Sequence, residues 1–255
     1  MAARRPPLAL SYHGVGDVTW RRDPDGLFVR SSDLMRHVAI LRRWGYEMLT
    51  FSEWAARVAV GGGSRAATMT FDDGFVDTLE SVVPLLGADA IPATVFVVSS
   101  WLGQRHPDTP HTRILTAAEL RDVRAAGFEV GGHTRTHVDL TTVDELAARA
   151  ELADGREELE AILGEEITVA AYPYGRATAT TVRACAAAGF RAACRTNGQG
   201  VWSEPLNLPR QRMSGRGSRL GLLLKRSGRY ETIAGSFPLR ELLAAVHASR
   251  GRLAS

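Results

Sequence analysis

The sequence predicts an α/β protein built around a parallel barrel, and three observations carry that prediction. Short apolar runs alternate with amphipathic segments, as strands do when each is followed by a helix that packs back on the sheet. The 255 residues suffice for one such barrel, a class that runs to about 250 residues in a single domain. The residues able to do chemistry fall just after apolar runs, at the strand ends where barrel loops build active sites.

The strands expected in order are Leu8–Tyr12, Thr68–Phe71, Ala93–Ser99, Glu129–Gly132, Thr168–Tyr172, Arg191–Arg195 and Leu206–Arg212, and these seven suit a barrel. Ser32 opens a helix with an apolar stripe at Leu34, Val38 and Leu41. Thr116 with Glu119, and Thr142 with Glu145, read as capping boxes, in which a hydroxyl and a carboxylate three residues apart satisfy each other's backbone N–H. The longest helix covers residues 143–163, and Gly155 is expected to kink or divide it. Gly61–Gly63 reads as a flexible link, and residues 1–255 as one domain with a mobile basic segment near 214–229.

Hydrophobic residues at 45% and charged residues at 23% exclude a disordered chain. The net charge is only +3, and no nucleic-acid partner is expected. Six Arg and one Lys gather between Arg210 and Arg229, which reads as a solvated loop in preference to a phosphate-binding face. Cys185 and Cys194 have neither disulfide-framework nor zinc-finger spacing, so a reducing compartment or two inert buried thiols is expected. No stretch approaches the roughly 20 apolar residues of a membrane span, Met1–Leu10 is too short for a signal-peptide core, and the protein reads as cytoplasmic.

Four strand ends carry candidate chemistry. Thr70-Phe71-Asp72-Asp73-Gly74 closes an apolar run with two adjacent carboxylates, whose repulsion a cation would relieve; alone, Asp-Asp-Gly reads first as a turn. His133-Thr134-Arg135-Thr136-His137 spaces two imidazoles four apart, which puts both on one side of a helical turn, from which both can reach one ion. Ala171-Tyr172-Pro173-Tyr174-Gly175 could offer the Tyr174 N–H to an oxyanion and its ring to a sugar face, or could simply plug the core. Tyr12-His13-Gly14 ends the first strand with a histidine able to donate a proton, or to serve as a satisfied structural histidine.

Together, in this order and each after its own strand, the motifs resemble the polysaccharide deacetylase family, carbohydrate esterase family 4, also called the nodulation-protein-B homology domain. The resemblance covers roughly Leu8 to Met213, with Thr-Phe-Asp-Asp-Gly and His-Thr-x-x-His its strongest parts. It implies a distorted (β/α) barrel of about seven parallel strands and a divalent metal on Asp73, His133 and His137. It further implies Asp72 as general base and Tyr174 as oxyanion donor. Two departures stand out. Ala171 occupies the place where the family commonly has an arginine that pairs with the base, and Arg210 of Leu208-Pro209-Arg210 is the candidate replacement. The usual late Leu-x-His is not evident, and His247 is poorly placed for it; His13 fits a permuted variant in which the acid comes from the first strand.

The resemblance implies an enzyme that removes N-acetyl groups from an amino-sugar-containing saccharide, oligosaccharide or glycan precursor. Zinc suits one carboxylate and two imidazoles, with cobalt, nickel or iron tolerated. An O-acetyl esterase or small-metabolite amidohydrolase on the same site, and a barrel that binds carbohydrate without catalysis, are the alternatives. Trp20, Trp101 and Trp202, each in an expected loop, could stack on sugar rings or anchor their loops.

Overall fold

The protein is described here by a computed structural model covering residues 6–19, 21–196 and 202–214. Its strands are β1 (Leu8–Tyr12), β2 (Gly14–Val15), β3 (Phe28–Val29), β4 (Glu47–Leu49), β5 (Ala66–Phe71), β6 (Thr94–Val97), β7 (Glu129–Gly132), β8 (Val169–Ala171), β9 (Ala192–Thr196) and β10 (Leu208–Arg212). The α-helices are α1 (Ser31–Arg43), α2 (Phe51–Ala59), α3 (Val83–Gly87), α4 (Ala117–Ala125), α5 (Glu145–Leu163) and α6 (Ala179–Ala187). The chain divides at Gly217, and the described residues all belong to the first unit. The expected basic segment near 214–229 falls, beyond Ser214, outside the described residues, as do His247 and Trp20.

Seven strands close a parallel (β/α) barrel. β1 pairs with β5 on one side and β10 on the other, and the ring continues β10-β9-β8-β7-β6-β5. Every pairing in it is parallel. Strands buried on both faces lose the apolar/polar alternation and read as continuous apolar runs, which is why LALSY and AATMTF are legible in the sequence. The core centres on Trp54, Phe51, Phe96, Cys194 and Leu208, with alanines at Ala9, Ala66, Ala171 and Ala192. Cys194 donates to the Ala170 carbonyl, and burial raises both thiols, Cys185 to about 12, so these are inert core residues.

Four elements differ from the sequence expectation. β4 pairs with the N-terminal half of β5, Leu49 opposite Thr68, leaving the same edge of the C-terminal half to β6, with Thr70 opposite Thr94. Three residues with one buried side chain carry no periodic signal, so the strand escapes a reading of the sequence. α2 begins with a Thr50/Glu53 capping box, the same signal that correctly marks Thr116/Glu119 before α4. α1 starts at Ser31 with Arg30 as a cap that makes no side-chain bond, so Ser32 is not its opening residue.

The fourth difference lies at α5. Thr142 does not cap it: its hydroxyl donates to the Asp139 carbonyl, and Asp144 accepts the Ala147 N–H instead. The helix also runs unbroken through Gly155, whose role is close approach. A Cβ at Gly155 would sit 2.8 Å from the Arg135 nitrogen and the Thr134 carbonyl carbon. The Arg135 N–H bonds the Glu151 carbonyl at 2.9 Å, so the His133–His137 loop lies directly on the helix backbone. In an exposed helix Gly→Ala gains about 1 kcal/mol. Here Gly155→Ala is expected to lower the melting temperature, measured by calorimetry, because the added Cβ pushes the His133–His137 loop off the helix.

Candidate active site

The register of β1 and β5 places the first two candidate positions side by side. Tyr12 lies opposite Phe71, and the Asp72 N–H bonds the Tyr12 carbonyl at 2.9 Å, so His13 and Asp72 leave the barrel at the same rim. Asp73 and Gly74 then turn the chain with φ of 71° and 78°. Asp-Asp-Gly is thus a turn and a cluster of functional side chains at once. Gly74 supplies a conformation that other residues adopt only with strain, and Asp73 adopts it as well. Six described non-glycine residues have positive φ, and four of them, Asp73, Thr134, His137 and Tyr174, belong to the candidate motifs. Concentrated backbone strain of this kind is typical of functional sites.

The His-x-x-x-His stretch is not a helical turn, contrary to the spacing argument. Thr134 and His137 have φ of 63° and 62°, and the loop they shape brings both imidazoles together. α5 holds the loop from beneath. Glu151 accepts from the Thr136 N–H and hydroxyl, both at 2.9 Å, while Glu158 accepts from Arg135 at 2.8 Å and from the Ser99 hydroxyl at 2.6 Å.

The structure brings Asp73, His133 and His137 into one cluster whose ligand atoms lie within 4.8 Å of one another. Asp73 Oδ1 is 3.4 Å from His133 Nε2 and 3.5 Å from His137 Nε2. His133 Nδ1 lies 2.7 Å from the Ala171 carbonyl and donates to it, which turns Nε2 toward the cluster, where its lone pair is free when the ring is neutral. Buried Asp73 Oδ1 has no hydrogen-bond donor. An orphaned carboxylate oxygen between two imidazole nitrogens fits a cation. Burial works against charge on Asp73, but neighbouring His106 and His133 outweigh it and hold the carboxyl well below its usual range. For His133 burial likewise opposes charge, and Asp73 and Asp72 overcome it and raise its pKa. Burial and the His133 charge push His137 down to about 4, so it is a neutral imidazole.

Arg210, on β10 and fully buried, forks onto Asp72 with contacts of 2.6 and 2.8 Å, and also donates to the Thr70 hydroxyl at 2.7 Å. The guanidinium expected beside Asp72 therefore comes from β10, not from position 171. Burial favours the neutral acid, and Arg210 reverses this, so Asp72 is held below the usual carboxylate range. Tyr174 sits at the rim, 57% exposed, with its ring 4.8 Å from that of His137. His13 lines the same cavity of about 350 Å³ as Asp72, Asp73 and Tyr174, and its Nδ1 has no hydrogen-bond partner. Burial lowers its pKa against the pull of Asp73 and Asp72.

Three residues that no motif marks complete the surroundings. His106, in the loop after β6, is 3.4 Å from Asp73 Oδ2. Trp101 anchors the site from below, its ring 4.9 Å from His137 and 5.0 Å from His106. Asp77 ties the Asp-Asp-Gly loop to β2 by accepting the Val15 N–H. Trp202 is not at the cavity: it packs on Trp54 and lines a groove with Pro7 and Gly63, at the opposite end of the barrel.

Asp77 supplies a pH test of this loop linkage. Burial pushes its carboxyl up to about 7, so the folded state keeps a proton that the unfolded state releases near the ordinary value of about 4. Stability from this group is therefore lost as pH rises through that window. Asp77→Asn, which keeps an acceptor for Val15, is expected to gain in melting temperature relative to the parent between pH 5 and pH 8.

A parallel barrel with an Asp-His-His cluster and a buried Asp-Arg pair at one rim defines the class of protein, and comparison with known proteins defines the family. A family model described as polysaccharide deacetylase matches residues 60–193, and the chain belongs to that family. It is 24% identical over 198 residues to Bacillus subtilis YxkH, provisionally named a polysaccharide deacetylase, covering 77% of this chain and 64% of that one. To a chitooligosaccharide deacetylase of Rhizobium leguminosarum bv. trifolii it is 28% identical over 146 residues, covering 57% of this chain and 63% of the relative. The chain thus spans less than two thirds of the length of these relatives. Among solved structures, the deacetylase PplD of Streptococcus pyogenes, in complex with acetate, superposes with a TM-score of 0.74 at 21% identity, covering 86% of this chain and 97% of that one. That likeness shows the fold.

Proposed function

We propose that the chain is a metal-dependent hydrolase that removes N-acetyl groups from an amino-sugar-containing saccharide or glycan precursor. The observation that carries this reading is the pairing of the Asp73-His133-His137 cluster with an ionised, arginine-forked Asp72 in one cavity. The names of the relatives support the acetylated-saccharide substrate. Asp73, His133 and His137 would hold the cation, and zinc suits one carboxylate and two imidazoles best. When bound it supplies Lewis acidity to the acetyl carbonyl and to water.

The chain's own residues do the rest. Asp72, held ionised by Arg210, takes the proton from the attacking water. The Tyr174 N–H donates to the carbonyl oxygen as it gains charge. His13 in its imidazolium form, which burial opposes and the nearby Asp73 and Asp72 carboxylates favour, delivers its proton to the departing amine, which leaves poorly as an unprotonated amide nitrogen. An ester leaves more easily and needs this proton less.

The test is acetate release from N-acetylglucosamine oligomers and from O-acetylated sugars by metal-reconstituted protein. N-acetyl substrates are expected to turn over; release from O-acetyl sugars alone would make the protein an esterase. His13→Ala is expected to cost about 10²–10⁴ in rate on the N-acetyl substrate and much less on an ester. Equal losses on both would move the acid elsewhere.

A further inference from the structure

His106 belongs to none of the motifs, yet it is the third imidazole around Asp73. Its ring is fixed on every side but one. It stacks on Phe75, with centroids 4.7 Å apart and 15° between planes, and meets the edge of Trp101 at 5.0 Å. Nδ1 accepts the backbone N–H groups of Asp108 and Thr109, each at 3.1 Å, and the backbone N–H of His106 itself bonds the Thr112 carbonyl at 3.2 Å. The residue is 3% exposed.

This environment sets the tautomer. A neutral imidazole that accepts at Nδ1 carries its proton at Nε2. That buried Nε2 has no hydrogen-bond partner and lies 3.4 Å from Asp73 Oδ2. The two Asp73 oxygens therefore face different neighbours: Oδ2 faces His106, and Oδ1 faces His133 and His137. A satisfied core histidine would have its second nitrogen bonded elsewhere or in solvent. Here, among the described residues, the polar group that the nitrogen faces is the Asp73 carboxylate.

We propose that His106 is a positioning residue, whose Nε2–H holds Asp73 Oδ2 and so turns Oδ1 toward the metal between His133 and His137. It is not a fourth ligand, because the lone pair a ligand must offer is replaced by that proton. A partner of this kind fixes a ligating carboxylate and typically accounts for about 10–100-fold in metal affinity. The inference rests on the metal reading proposed above.

The test compares His106→Phe and His106→Gln in the full chain. Phe keeps the ring on Phe75 and removes the N–H, whereas Gln returns an N–H donor within reach of Asp73. Zinc affinity by chelator competition is expected to fall about 10–100-fold for Phe and to return within a few-fold of the parent for Gln. The Co2+ absorption bands of the Gln variant are expected to match those of the parent, since no ligand changes. Parental zinc affinity in the Phe variant overturns the proposal. So does a Gln variant that binds as weakly as Phe with shifted Co2+ bands, which would make His106 a ligand. If the Phe variant does not fold, the Gln variant decides alone: affinity within a few-fold and unchanged bands support the proposal, and a tenfold loss overturns it. A parent protein that binds no zinc would instead overturn the metal reading, and this proposal with it.

Discussion

Asp73→Ala is expected to abolish stoichiometric zinc binding, and with it all turnover, while leaving the fold intact. Asp73 contributes the only carboxylate of the cluster, and its Oδ1 lies between the two imidazole nitrogens. Two imidazoles alone are a far weaker zinc site than three ligands with one negative charge. The substitution strands no donor at Oδ1, which has none, but it leaves the buried His106 Nε2 without the oxygen it faces, so the apo protein is expected to fold with a lowered melting temperature. Equilibrium dialysis at one equivalent of zinc, beside thermal melting of the apo protein, separates these effects. Retained binding at parental affinity would show that the metal sits elsewhere.

Asp72→Asn is expected to keep the metal and lose the reaction. Asp72 does not belong to the ligand cluster; its two oxygens are taken up by Arg210. The amide cannot accept a proton from water, and removing a general base costs about 10²–10⁴ in rate. Stability should suffer as well. Arg210 is fully buried, and breaking a buried ion pair by neutralising one partner costs about 3–5 kcal/mol. Zinc affinity near the parental value, a lowered melting temperature and a rate reduced by at least a hundredfold are the expected combination. Parental turnover would remove Asp72 from the mechanism.

Much of this site is legible in the sequence, because each motif directly follows a strand whose apolar run is itself legible. Register does the rest: Tyr12 opposite Phe71 makes neighbours of His13 and Asp72, which are distant in sequence. Arg210 could be named because Ala171 leaves a gap that a late strand can fill, and the structure puts its guanidinium on Asp72. What escaped depends on tertiary contact. The histidines converge through left-handed residues at Thr134 and His137, not through a helical repeat, and no spacing rule reports that. Gly155 reads as a helix break until the loop it admits is known. His106 escapes because a single histidine in a loop carries no pattern; only its ring contacts and two backbone donors set its direction. β4 escapes because three residues are too few to show a period.

In the proposed function, one cluster, Asp73-His133-His137, makes this barrel a deacetylase. Its most direct test is a zinc titration of chelator-stripped protein with an N-acetylglucosamine oligomer, following acetate and free amine together. Acetate and amine should appear in equal amounts, rise in proportion to zinc up to one equivalent per chain, and vanish in Asp73→Ala. Undiminished release from the stripped protein, or from Asp73→Ala, would contradict it.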